Sequence, residues 1–215
     1  MEAIKKFRMQ TRKEEYGNII THAVGTCLAI VGTYLLISKA LFSQHFSNIL
    51  SACIFGSSLI ILYLMSTLYH SATNEKTKKI LQAFDHCSIF ILILGSYAPF
   101  CLVTLKGITG YMLFTLNSAL TLIGLTVNII NVKKYHKLSL ILYIVMGWSI
   151  MLVIKPAITS IPSNGLWMLV LGGLSYTLGI IFYKAKNMMY SHVIWHLFVL
   201  AGSILHFFCI YLYVV

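Results

Sequence analysis

Ser191-His192-Val193-Ile194-Trp195-His196 sets two histidines four residues apart at the start of the last apolar segment. On a helix both imidazoles lie on one face, one turn apart. Paired imidazoles inside a membrane helix are costly unless they are used, and a metal ion is their commonest user. Ser66-Thr67-Leu68-Tyr69-His70 brings a third imidazole to the end of another apolar segment, with Ser66 one turn before it. Three neutral imidazoles, His70, His192 and His196, suit a catalytic zinc ion, which takes three protein ligands and keeps a fourth position open for water. Asp85 is the only acid inside an expected membrane span; Glu2, Glu14, Glu15 and Glu75 fall in polar flanks. A zinc ion would supply the counter-charge that a lone intramembrane carboxylate needs. Asp85 could then hold the water and accept its proton, and Ser66 could hydrogen-bond that water, orient Asp85 or stabilise an oxyanion. Asp85 as a direct ligand, or as a residue at the headgroup boundary, is the alternative. A single intramembrane histidine is more often a packing donor between helices. Four ionisable groups at one depth tip the balance toward metal.

That common depth comes from the elements that carry the residues. Of 215 residues, 59% are hydrophobic and 10% charged, against about 25% charge in soluble domains. A spanning helix needs about 20 mainly apolar residues. Seven segments qualify, at 19–38, 49–70, 84–104, 110–130, 138–158, 166–183 and 192–213. The expected fold is all-α, a seven-transmembrane helix bundle over 19–215 behind a cytoplasmic tail, 1–18. Lys106-Gly107-Ile108-Thr109 predicts a tight hairpin between the third and fourth spans. Of the 16 lysines and arginines, only Lys39, Lys106 and Lys155 fall on one side of this arrangement. The positive-inside rule places the N-terminus in the cytoplasm and the C-terminus outside. His70, Asp85, His192 and His196 then meet in one cytoplasmic-side layer.

The net charge of +11 is explained by this orientation better than by nucleic acid, because no basic stripe forms. Cys27, Cys53, Cys87, Cys101 and Cys209 lie in apolar segments without a CxxC and read as buried small hydrophobes. The basic N-terminus is not followed by a short apolar stretch with a cleavage site, so no removable signal peptide is expected. Among the other histidines, His86 points about 100° away from Asp85. His206 rises about 15 Å beyond His196, too far for the same metal. His45 and His136 fall in loops and are expected to be solvated. Glu15, Asn18 and His22 share one face of the first helix, either supporting the ligands from behind or capping and packing. Gly172, Ser175, Tyr176 and Gly179 share a side that suits close helix contact. Gly147-Trp148 and Gly95-Ser96-Tyr97-Ala98-Pro99 read the same way, with a kink at Pro99.

Glu15-x-x-Asn18-x-x-x-His22, Ser66-x-x-x-His70, Asp85, Gly147-Trp148, Gly172-Gly173-x-x-Tyr176-x-x-Gly179 and His192-x-x-x-His196 together resemble the hemolysin III family. These are bacterial relatives of the progestin and adipoQ receptors, within a wider superfamily that includes alkaline ceramidases. The ordered set runs over nearly the whole chain. The resemblance implies zinc held by His70, His192 and His196 beside Asp85, in an integral protein of a bacterial plasma (inner) membrane. The chain lacks the long extramembrane N-terminal region of the animal receptors, so reception of a protein hormone is not expected. The function expected first is a zinc-dependent, ceramidase-like hydrolase of a lipid amide or ester, with membrane lipids as partners, Asp85 as base and Ser66 assisting. The rivals are a sensor or regulator of membrane lipid homeostasis with structural zinc, and a pore-forming cytolysin.

Overall fold

A computed structural model describes residue 8 and residues 10–215. Lys5, Lys6 and most of the first half of the expected tail lie outside the described residues. Every regular element among those described is helical: α1 (Arg12–Phe42), α2 (Phe46–Ser71), α3 (Glu75–Pro99), α4 (Ile108–Gly147), α5 (Ile154–Ser160), α6 (Ser163–Lys184) and α7 (Ser191–Tyr213). The bundle buries polar side chains beside an apolar core and is apolar outside. Asn18, Asn117 and Asn128 are buried, while Tyr34, Phe42 and Ile129 are exposed. An apolar exterior is what a hydrocarbon solvent selects.

Among the described residues six helical runs are long and apolar enough to cross a membrane, and one of them, Ile108–Ser160, is 53 residues long. As a straight rod it would reach about 80 Å, against a hydrocarbon core of about 30 Å. It is not straight. Asn131 leaves helical geometry (φ −167°, ψ 96°), and the chain folds back on itself. Ser139 Oγ donates to Asn128 Oδ1 at 2.7 Å, and Asn117 Nδ2 donates to Ser149 Oγ at 2.8 Å. The arms 108–130 and 132–147 therefore lie side by side, and Lys133, Lys134 and Lys137 sit at the turn between them.

The expected span 138–158 is not one helix. It breaks after Gly147 into a 3-10 turn, Ser149–Val153, and the short α5. Tyr97 of α3 mends the break: its hydroxyl lies 2.8 Å from Met146 O and 3.1 Å from Gly147 O, and it accepts the Ile150 N–H at 3.0 Å. Backbone groups freed at membrane depth need such a partner. Gly147 is thus a breakpoint and not a contact point, since a Cβ there would meet nothing within 4 Å. The third–fourth hairpin forms as expected. Pro99 opens α3 into a π turn, Phe100–Thr104, and Gly107 reverses the chain at φ 77°. Cys27 and Cys53 are exposed on the apolar exterior, whereas Cys87, Cys101 and Cys209 are buried.

Two junctions set the site. α6 packs on α7, and α7 on α1, which also packs on α2. At the α6–α7 seam a Cβ on Gly172 would run into the His206 ring, and Ser175 Oγ donates to Phe198 O at 2.8 Å. The close contact expected of that glycine face is present. The second junction is Glu14, which is 2% exposed. It completes a capping box with Thr11 and pairs with Arg8 at 2.9 Å. It also accepts the N–H of Tyr190 at 2.8 Å. Tyr190 precedes α7 in a left-handed conformation (φ 56°) with no side-chain cap of its own. One carboxylate thus fixes the starts of α1 and α7, and with them the height of His192 and His196.

Candidate metal centre

α2 delivers His70 from its last turn, and α7 delivers His192 and His196 from its first two turns. One ligand atom from each of the three lies within 4.8 Å of the others. His70 and His196 are buried and His192 is nearly so. The hydrogen bonds behind two of the rings decide which nitrogens are free. His70 Nδ1 lies 2.6 Å from Glu15 Oε2, so it carries the proton and donates it. Its Nε2 is buried and has no hydrogen-bond partner among the described residues. Thr21 Oγ1 donates its one proton to a carbonyl of α1, with Gly17 O at 2.9 Å and Asn18 O at 3.0 Å. It can therefore only accept from His196 Nδ1 at 3.1 Å. Both rings are held as the tautomer that turns an Nε2 lone pair away from the supporting helix. A buried, unpartnered imidazole nitrogen is costly. Three neutral imidazoles form a donor set that zinc accepts, so the residues present fit a metal ion.

The support comes from the face of α1 whose role the spacing left undecided. Glu15 is bonded to His70 and also to Lys78 Nζ at 2.7 Å. The Asn18 amide lies 3.3 Å from His70 Nδ1. His22 stacks on His196 with ring centroids 3.5 Å apart and planes 9° from parallel, and it meets the ring of Tyr63 edge-on at 5.1 Å. Glu15 was expected in a polar flank. It comes inside because α1 begins at Arg12, a full turn before it. Carboxylate–imidazole pairs of this kind orient ligands and raise their basicity. Glu15→Gln is therefore expected to leave the helical content unchanged and weaken metal binding by about 10–100-fold, measured by competition with a zinc chelator. Unchanged affinity would reduce the Glu15–His70 bond to packing.

Ser66 and Asp85 line the same cavity as the three histidines, a space of about 610 Å³. Ser51, Ser57, Ser58 and Ser71 of α2 turn their hydroxyls onto backbone carbonyls. Ser66, 2% exposed, shows no such bond. Asp85 stands 3.6 Å from His86. His86 also lines the cavity, although its ring is turned to Gln82 O (2.9 Å) and the Tyr183 hydroxyl (3.4 Å). His136 is a correction. It is not a solvated loop residue but lies half-buried in the cavity wall against Tyr183. His206 is elsewhere, bonded to Leu169 O at 3.2 Å. It borders a second, apolar cavity of about 160 Å³, which shares Leu62, Ile89, Tyr183, Trp195 and Val199 with the first.

Comparison with known proteins places these residues in context. The family described as Haemolysin-III related matches residues 10–207. The chain is 44% identical to a protein of Bacillus subtilis (strain 168) named Hemolysin-3 homolog, over 96% of this chain and 97% of the relative. It is 39% identical to Hemolysin-3 of Bacillus cereus, over 94% and 92%. It is 33% identical to the human Monocyte to macrophage differentiation factor, over 93% and 84%.

Proposed function

Because the chain belongs to the haemolysin-III related family, a family of membrane proteins, we propose that it is a zinc-dependent intramembrane hydrolase of a lipid amide or ester. The observation that carries this reading is the grouping of three imidazoles within 4.8 Å in one cavity with Asp85 and Ser66. His70, His192 and His196 would hold a zinc ion, which would supply a Lewis acid to polarise a carbonyl oxygen and acidify a water. Asp85 takes the proton of the attacking water and returns it to the leaving nitrogen or oxygen. Ser66, whose hydroxyl is not spent on the backbone, donates to the oxygen on which charge develops. Glu15 and Thr21 keep two imidazoles in the tautomer that binds metal. The apolar cavity beside the histidines suits a substrate with a hydrocarbon chain.

The same proposal includes the membrane setting. With 108–130 and 132–147 as two arms, the bundle has seven spans. The lysine bias then puts the N-terminus and the histidine layer on the cytoplasmic side of a plasma membrane. A sensor of lipid state with structural zinc is the second reading, favoured by ligands that tie α2 to α7. The deciding assay incubates zinc-loaded protein with a panel of lipid amides and esters and measures fatty acid release. Release from one lipid class, lost with a chelator and restored by zinc, supports the hydrolase. No release from any lipid by fully loaded, folded protein overturns it.

A further inference from the structure

The cavity that holds the histidines has a cationic wall that the hydrolytic chemistry does not use. Lys133 and His136, from the turn between the arms of α4, line it together with Lys186, from the connection between α6 and α7. The ring of His136 meets Tyr183 at 5.4 Å, and Tyr183 lies 6.0 Å from the ring of His192. A single aromatic ring therefore separates this wall from a metal ligand. Of the cavity's carboxylates, Glu14 is engaged with Arg8, Thr11 and the Tyr190 N–H, Glu15 with His70 and Lys78, and Asp85 stands 3.6 Å from His86. Orientation in the membrane accounts for lysines in this turn, but not for their place in a cavity. Lys134 and Lys137 serve orientation equally well, and neither lines the cavity. Two lysine charges on a concave wall attract an anion, and the His136 ring beside them can donate a hydrogen bond to it.

We propose that Lys133, His136 and Lys186 bind a phosphate group at the cavity mouth, so that the lipid presented to the histidine cluster is an anionic, phosphate-bearing one. The assignment of this lipid as substrate rests on the hydrolase reading; the binding itself does not. Phosphate has two sources, a lipid headgroup or the free ion, and the test separates them. Native mass spectrometry of the full chain would compare phosphatidic acid with diacylglycerol of the same acyl chains. Phosphatidic acid is expected to bind at least about tenfold more tightly. Lys133→Gln with Lys186→Gln is expected to abolish that preference. Lys134→Gln with Lys137→Gln removes the same charge from the same membrane face and is expected to preserve it. Displacement by millimolar inorganic phosphate identifies the free ion as sufficient; retention against it identifies the lipid headgroup. Equal binding of the two lipids, or equal loss in both variant pairs, overturns the proposal. Headgroup preference without fatty acid release would sink only the hydrolase reading, and release without preference would sink only this one.

Discussion

Protein purified in detergent and analysed by inductively coupled plasma mass spectrometry is expected to contain about one zinc ion per chain, and His196→Ala is expected to contain almost none. Removing His196 leaves two imidazoles, fewer than any structural or catalytic zinc site uses. It also removes the ring on which His22 stacks, so this variant alone would confound metal loss with a packing defect. His192→Ala separates the two. His192 touches His70, His196 and Tyr183, and its removal leaves the His22–His196 stack in place. Both variants should lose metal, by more than the about 10–100-fold set for supporting partners such as Glu15. His192→Ala should also keep the far-ultraviolet circular dichroism of the wild type. Metal-free wild type with an intact helical fold would remove the basis of the zinc reading.

Asp85→Asn is expected to keep both the fold and the zinc while lowering turnover by about 10²–10⁴-fold. The substitution is nearly isosteric and removes only the capacity to hold and move a proton. Among the described residues Asp85 makes no hydrogen bond to the three histidines, and its carboxylate lies 3.6 Å from His86, so zinc content should stay near that of the wild type. A sensor with structural zinc makes the opposite prediction: its function survives Asp85→Asn, while loss of any histidine ligand unfolds the bundle. Zinc content, circular dichroism and fatty acid release on one preparation therefore distinguish the two. Undiminished turnover in Asp85→Asn would remove this carboxylate from the chemistry.

The parts of the site that could be read without coordinates were those tied to span ends. Depth is a one-dimensional property, and hydropathy with the lysine bias specifies it. His70, Asp85, His192, His196 and Ser66 were assigned to one layer on that basis, and they line one cavity. What could not be read depends on helix starts and distant contacts. A window that rewards apolar residues begins the first span near residue 19, so Glu14 and Glu15 look like flank. The signal that could have corrected this was local: Thr11-x-x-Glu14 is a capping box pattern and places a helix start before both glutamates. The break at Gly147 had no comparable signal. It exists because Tyr97, from another helix, accepts and donates at the freed backbone groups. His136 was misread for the reverse reason. Its polar turn does look solvated, and only the folding back of α4 carries it to the wall beside Tyr183.

Glu14 has a bearing on how the protein is made. It joins the entrance of α1 to that of α7, and the three clustered histidines are likewise divided between α2 and α7. Everything from α3 to α6 is synthesised and inserted between the two halves of both connections. During synthesis Glu14, Glu15 and His70 are made well before Tyr190, His192 and His196, so no early intermediate can assemble the histidine cluster. Assembly of the histidine cluster is therefore a late event that follows the placement of every intervening helix. A misthreaded chain would leave these acidic and imidazole side chains unmatched, at the cost of any buried polar group without a partner.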